Sequence, residues 1–108
     1  MVKLTVIYNL PPGADHEEFL KWRTGPHQKH NEGTPGVIKT DFYIVEKSPD
    51  GPAPYCYMTE AYFPDMETFE RAWYDPAYQA KLKEDVKRIA DPVFLISREV
   101  VTAEVAKA

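Results

Sequence analysis

Side chains alternate between two faces along the first three of four predicted strand segments, and this period of two is typical of strands that bury one face. The first segment runs from Val2 to Leu10 and the second from Val37 to Lys47. The third runs from Tyr55 to Phe63, and the last, which is rich in β-branched residues, runs from Val93 to Val105. The pattern therefore predicts a sheet of four strands.

Two segments between these strands have the period of a helix. Asp15 can cap the first segment by accepting hydrogen bonds from its first turn. Gly25-Pro26 breaks this helix, because proline lacks the backbone N–H that the helix needs. The second helical segment extends from about residue 65 to about residue 90, and Asp75-Pro76 divides it into a short helix and a longer one.

The resulting order, β-α-β-β-α-β, predicts a ferredoxin-like α+β fold, in which an antiparallel four-stranded sheet carries both helices on one face. A chain of 108 residues is expected to form one domain, residues 1–108. The other face of the sheet then has no cover within the chain, and an exposed apolar face is a liability unless something packs on it. We therefore predict a homodimer whose two sheets face each other.

Composition excludes several classes of function. The net charge is −4 and basic residues do not cluster, so no nucleic-acid partner is expected. No apolar run approaches the ~20 residues that a bilayer requires, so no membrane partner is expected either. A single cysteine, Cys56, cannot form an internal disulfide, and the N-terminus has the pattern of a strand. We therefore expect a cytoplasmic protein.

Two of the three histidines, His27 and His30, lie where the first helix leads into the second strand. Histidine titrates close to neutral pH, so His27 is the leading candidate for a general acid or base acting on a small, largely apolar molecule. The alternative is a structural histidine that hydrogen-bonds a backbone carbonyl and fixes the helix end. No metal is expected at His27 and His30, because a catalytic zinc site requires a third protein ligand.

Glu60 lies in the middle of the third strand, on the same face as Met58 and Tyr62. A carboxylate among apolar neighbours has a raised pKa, which suits acid–base catalysis. The sequence is equally compatible with a cross-strand ion pair between Glu60 and Lys39 or Arg98. Glu60 is therefore a second candidate catalytic residue, with the ion pair as the alternative.

Aromatic side chains occur on both the strands and the helices, and as a group they favour an apolar ligand over a sugar or a phosphate. Taken one at a time, aromatic residues with these periods are more often part of the core. The candidate ligand-binding residues are Tyr8, Asn9, Trp22, His30, Tyr62 and Trp73. Asn9, at the end of the first strand, can orient a ligand carbonyl or cap the turn that follows.

These motifs occur in an order that resembles the EthD-like family of the dimeric α/β-barrel superfamily. The resemblance extends from residue 2 to about residue 105. The residues that carry it are Val2–Tyr8, Phe19, Trp22, His27, Pro35-Gly36-Val37, Thr59–Phe63, Asp75-Pro76 and Asp85. The chain departs from the family at His27-Gln28-Lys29-His30, where many members have His-Ala-Pro-Leu.

The resemblance implies a small homodimer with an apolar cleft between helix, sheet and partner. It implies a cofactor-free isomerase, cyclase or dehydratase, or an oxygenase-associated enzyme. Catalysis by His27 then predicts a second titratable group, Glu60 or Tyr8, that converges with it on one cavity. The alternative is a non-catalytic protein that binds a hydrophobic metabolite or assists a cytochrome P450 degradation system. No cofactor is expected. Haem in particular is disfavoured, since haem-degrading relatives carry a histidine on the second helix and none occurs between Phe63 and Asp91.

Overall fold

The computed structural model describes residues 1–106, which form four strands, four α-helices and one 3₁₀ turn. In chain order the elements are β1 (Val2–Asn9), α1 (His16–Thr24), α2 (Pro26–Glu32), β2 (Lys39–Ile44), β3 (Tyr57–Phe63), α3 (Met66–Trp73), α4 (Pro76–Asp85), the 3₁₀ turn Val86–Arg88 and β4 (Ala90–Arg98). The sheet is antiparallel with the order β2-β3-β1-β4, so β1 and β3 are central. This is the ferredoxin-like α+β architecture that the sequence predicts.

Helix boundaries follow from local chemistry. The carboxylates of Asp15, Asp65 and Asp75 each accept a hydrogen bond from a backbone N–H in the first turn of the helix that follows. The predicted break at Gly25-Pro26 divides the first helical region into α1 and α2, and Asp75-Pro76 divides the second into α3 and α4. Proline at the first helical position loses no hydrogen bond, which is why both breaks restart a helix.

The core lies between the helices and one face of the sheet. Alternate residues of β1 are buried, and the side chains of α1 and α3 pack against them. The buried apolar residues are Val2, Leu4, Val6, Tyr8, Leu10, Phe19, Tyr57, Phe63, Phe69 and Ala72. Within residues 1–106, no helix has the length and apolar character needed to cross a membrane.

The predicted bounds of the last strand, Val93 to Val105, are wrong at both ends. β4 begins at Ala90, where a register shift lets it pair with Asn9 of β1. It ends at Arg98, opposite Val2, and one further hydrogen bond, from the Glu99 amide to Met1 O, follows it. Val101 is consequently 85% exposed. β-branched residues favour a strand only where a partner strand continues.

The second strand is also shorter than predicted, Lys39–Ile44 instead of Val37–Lys47. The third begins at Tyr57 instead of Tyr55. Hydrogen bonds from the Ile38 and Val45 amides to β3 and the residue before it extend the pairing by one residue at each end of β2.

The sheet face opposite the helices is not the bare apolar face that the sequence predicts. Ile7, Met58 and Leu95 give it apolar character, but Lys3 Nζ also lies 2.7 Å from Glu60 Oε2 there. Glu60 faces Thr5 across the β1–β3 ladder, which makes Lys3 its diagonal neighbour. The face is therefore mixed, with charged pairs between apolar side chains.

Candidate functional site

A partly open cavity of about 100 Å³ lies between the helices and the helix-facing side of the sheet. Its walls are mostly apolar, with a few polar groups that point into the same space, which is the usual composition of a small-molecule site. The lining residues that matter chemically are Tyr8, Trp22, Arg23, His27, Trp73 and Asp85.

The chain turn between α1 and α2 positions His27. Gly25 ends α1 and Pro26 starts α2, so His27 lies in the first turn of the second helix. The imidazole stacks on the indole of Trp22, with 4.3 Å between ring centroids and 25° between ring planes. Its side chain is only 16% exposed. One face of the ring is thus fixed by the indole.

Asp85, the last residue of α4, faces the His27 ring. Nδ1 of His27 lies 3.4 Å from Oδ2 of Asp85. This contact is not aligned as a hydrogen bond, since Nδ1 is buried and has no hydrogen-bond partner among residues 1–106. The other carboxylate oxygen of Asp85 accepts a bond of 2.7 Å from Lys81 Nζ.

His27 is neutral at physiological pH. Burial lowers its pKa from 6.5 to about 4, and this outweighs the opposing effect of Asp85. The positive charges of Arg23 and Lys81 and the neighbouring His30 lower the pKa further. A neutral imidazole can accept a proton, whereas an imidazolium cannot.

Arg23 forms part of the cavity wall and is 1% exposed. Its Nη1 donates to Gln28 Oε1 at 2.7 Å and its Nη2 donates to Thr59 Oγ1 at 3.2 Å. The guanidinium carbon lies 4.4 Å from the centre of the Phe42 ring. Its Nε is buried and has no hydrogen-bond partner among the described residues.

Sequence reasoning missed Arg23. It follows Phe19 by four residues on α1, and Phe19 is a core residue, so the helical period places both on the same face. That spacing was the available signal. Arginine is mostly found exposed, which is why the position was not singled out.

Tyr8 is connected to Arg23 through Thr59. The Tyr8 hydroxyl lies 3.2 Å from Thr59 Oγ1, which also accepts from Arg23. Burial raises the pKa of the Tyr8 phenol, although the Thr59 hydrogen bond and Arg23 act against this. The phenol is therefore protonated at neutral pH and can donate a hydrogen bond.

Five predicted site residues line the same cavity: Tyr8, Trp22, His27, His30 and Trp73. His30 lies at the rim, where its ring centre is 6.0 Å from that of His27 and 6.4 Å from that of Tyr78. Trp73 approaches Tyr78 with 5.7 Å between ring centres. These residues form an aromatic wall along the helices.

The other three predicted site residues lie elsewhere. Glu60 and Tyr62 are on the opposite face of the sheet, because β3 directs Tyr57, Thr59 and the other odd positions toward the helices. Glu60 forms an ion pair with Lys3, not with Lys39 or Arg98 as considered above, and accepts a weak hydrogen bond from the Thr5 hydroxyl. Of the two partners expected for His27, Glu60 does not reach the cavity, whereas Tyr8 does line it.

Asn9 has a local role. Its Nδ2 donates to Pro54 O at 3.0 Å, and its Oδ1 accepts from the Cys56 amide at the same distance. These bonds hold the chain that enters β3, instead of capping the turn after β1. Among residues 1–106, no group of three or more His, Cys, Asp or Glu side chains is arranged to hold a metal ion.

Comparison with known proteins identifies one family. The family model of the EthD domain matches residues 11–93. An EthD family protein from Bacillus halodurans has a solved structure that is similar to this chain, with a TM-score of 0.79 and 25% sequence identity. The match covers 93% of this chain and 99% of that chain. No functionally curated protein matches the sequence.

Two further structures share the fold at lower identity. SnoaB from Streptomyces nogalater, described as a cofactor-independent oxygenase, matches with a TM-score of 0.68 and 15% identity over 94% of each chain. A dimeric ferredoxin-like protein of unknown function from Thermobifida fusca matches with a TM-score of 0.66 and 12% identity. That match covers 89% of this chain and 88% of the other.

Proposed function

Because the chain belongs to the EthD domain family, we propose that it binds a small, largely apolar molecule in the cavity and that His27 removes a proton from it. One observation carries this proposal. The neutral, buried imidazole of His27 lies at an apolar cavity, and the Asp85 carboxylate lies beside its buried nitrogen, Nδ1. Such a pairing of base and orienting carboxylate recurs in proton-transfer sites.

The two ring nitrogens of His27 have different surroundings. Nδ1 is the buried nitrogen and faces Asp85, so Nε2 is the atom that meets a ligand. When Nε2 takes a proton, the ring becomes a cation, and the Asp85 carboxylate stabilises that cation across 3.4 Å. A catalytic contact that is long in the empty site tightens when the substrate is bound.

Tyr8 supplies the second polar group in place of Glu60. Its protonated hydroxyl lies at the sheet side of the cavity, where it can donate to a carbonyl oxygen of the ligand. Removal of a proton from the neighbouring carbon then leaves an enolate, and return of the proton at another atom completes an isomerisation. The same first step begins cyclisation or dehydration. It requires no cofactor, which agrees with the description of SnoaB as cofactor-independent.

The second candidate function is non-catalytic binding of a hydrophobic metabolite. It would be favoured if a backbone carbonyl held His27 in place. Instead, Nδ1 has no hydrogen-bond partner among residues 1–106. This favours the catalytic role over the binding role.

We also propose that two copies associate through the sheet face opposite the helices. Leu95 is 50% exposed on this face, with Ile7 and Met58 on the neighbouring strands. Lys3 and Glu60 already neutralise each other there. The description of the Thermobifida fusca neighbour as dimeric supports this association.

The proton transfer can be tested with cyclopentanone in D₂O, by measuring deuterium incorporation beside the carbonyl by mass spectrometry. We expect exchange catalysed by the wild-type protein to fall by about 10²-fold in His27→Ala, the lower end of typical acid–base contributions. His16→Ala is the matched control, since His16 bonds the Tyr57 hydroxyl away from the cavity. Equal exchange in wild type and His27→Ala would remove His27 as the base, and binding without exchange would support the non-catalytic alternative.

A further inference from the structure

Arg23 is a buried cation without a counter-ion among the residues that the structure describes. Five ion pairs between charged side chains occur among residues 1–106, and none of them includes Arg23. Its guanidinium is fully charged at any ordinary pH, and only 1% of the residue is exposed. Buried charges are normally paired, because an unpaired charge is costly to remove from water.

The groups that do contact Arg23 are neutral. Gln28 and Thr59 each accept one hydrogen bond, and Phe42 offers the face of its ring. A guanidinium has five N–H donors, so these partners leave most of them unused. The Nε–H is buried without any partner among the described residues. The donor set is therefore incomplete on a side chain that forms part of the cavity wall.

The rest of the cavity does not compensate this charge. Within residues 1–106, Asp85 is the only carboxylate that lines it, and Lys81 binds one of its oxygens at 2.7 Å. The other oxygen faces His27. A ligand in this cavity therefore meets one uncompensated positive charge among apolar and aromatic walls.

We infer that the cavity takes a ligand with an anionic oxygen on an apolar body, a carboxylate or an enolate, and that Arg23 is the residue that binds that oxygen. The inference rests on the proposed function for the location of the ligand, but not on proton removal by His27. Charge-assisted hydrogen bonds from arginine to such oxygens are about twice as strong as neutral ones. Where the ligand becomes an enolate only during reaction, the same contact stabilises the charge as it forms.

A ligand-binding role and a structural role for Arg23 predict different effects of replacing it on the stability of the fold. If Arg23 serves the fold, replacing it by methionine should destabilise the protein strongly. If Arg23 binds a ligand instead, its buried charge is unpaired in the protein without ligand and contributes little to stability. An apolar side chain of similar length is then tolerated, since replacing buried charge by packed apolar atoms is often neutral or stabilising.

The test compares isobutyrate with isobutyramide, which have the same shape and differ in charge. Both small molecules suit a cavity of about 100 Å³. Binding to the full chain is measured by NMR titration of the Trp22 and Trp73 indole signals, since both rings line the cavity. We expect isobutyrate to bind wild type at least about 10-fold more tightly than isobutyramide does, in keeping with a charge-assisted contact.

Variants identify the residue responsible. Arg23→Met should remove the preference for isobutyrate without lowering the melting temperature, and Arg23→Lys should keep part of the preference. His27→Ala should retain it, which distinguishes failure of the proton-transfer proposal from failure of this one. Equal affinities in wild type, binding of neither compound, or a preference that survives in Arg23→Met would each overturn the inference. If Arg23→Met fails to fold, the wild-type comparison still tests the anionic ligand, and a preference that is undiminished in Arg23→Lys would overturn the assignment to Arg23.

Discussion

Nδ1 of His27 lies 3.4 Å from Oδ2 of Asp85, although α2 and α4 are separated along the chain by two strands and a helix. Asp85 raises the pKa of His27, while burial and the nearby Lys81 lower it. Burial has the largest effect on the proton affinity of the imidazole, and two residues of one helix, Asp85 and Lys81, modify it in opposite directions.

Replacement of Asp85 by asparagine should lower the pKa of His27 below its present value of about 4, because the only charge that favours the imidazolium is removed. Lys81→Met should raise the pKa, because it removes a neighbouring cation. NMR titration of the His27 Hε1 signal measures both shifts. The two variants moving the pKa in the same direction would show that Asp85 and Lys81 do not act through their charges.

The stability of the protein should decrease as the pH falls from 6.5 to about 4. In that range the unfolded chain binds a proton at His27 that the folded chain excludes, so acid favours unfolding. The full pKa shift of His27 corresponds to roughly 3 kcal/mol of unfolding free energy, which we reduce to about 2 kcal/mol because solvent reaches part of the ring.

Chemical denaturation at pH 7 and pH 4 checks this prediction. Between pH 7 and pH 4, the unfolding free energy of wild type should fall by about 2 kcal/mol more than that of His27→Phe. This variant keeps an aromatic ring against Trp22 but cannot titrate. A loss of the same size in both proteins would mean that His27 does not contribute to the pH dependence.

Gly36→Ala should destabilise the protein more than Gly13→Ala. Both glycines have positive φ, 83° and 81°, so alanine is strained at either position by about 1–2 kcal/mol. A Cβ on Gly36 would also overlap the Thr68 side chain, whereas a Cβ on Gly13 would meet no atom within 4 Å. Thermal unfolding of the two variants separates the clash from the strain. The double variant Gly36→Ala with Thr68→Ala should recover part of the difference.

Leu95→Glu should dissociate the proposed dimer and Ile96→Glu should not. The two residues are neighbours on β4 with similar exposure, 50% and 47%. Leu95 pairs with Thr5 on the face opposite the helices, whereas Ile96 pairs with Leu4 on the face that the helices cover. Sedimentation velocity at micromolar concentration distinguishes the species. A monomeric wild type, or a Leu95→Glu variant that still dimerises, would contradict the proposed interface.

Features set by local chemistry could be predicted from the sequence. The cap at Asp15 and the breaks at Gly25-Pro26 and Asp75-Pro76 depend on residues within a few positions, and all three are confirmed. The end of β4 depends on a distant strand. The β-branched residues after Arg98 look like a strand, but β1 starts at Val2 and leaves them without a partner.

In the candidate site too, some features could be predicted from the sequence, and others depend on contacts between distant parts of the chain. His27, Trp22 and Tyr8 could be selected by residue type, and the fold brings them to one cavity. Period-two alternation correctly grouped Glu60 with Tyr62, but it does not say which face of the strand the helices cover. Arg23 was missed because the burial of this α1 residue depends on packing against Phe42 of β2 and Thr59 of β3, which are distant in sequence.

The alternation along β3 has a further consequence. Thr59, Ala61 and Phe63 contribute to the wall of the cavity, whereas Met58, Glu60 and Tyr62 point to the opposite side of the sheet. Alternate residues of one short strand thus contribute to two separate surfaces of the protein. Directed evolution confined to the odd positions should change the ligand preference of the proposed site and leave the proposed dimer interface intact, and a library at the even positions should do the reverse.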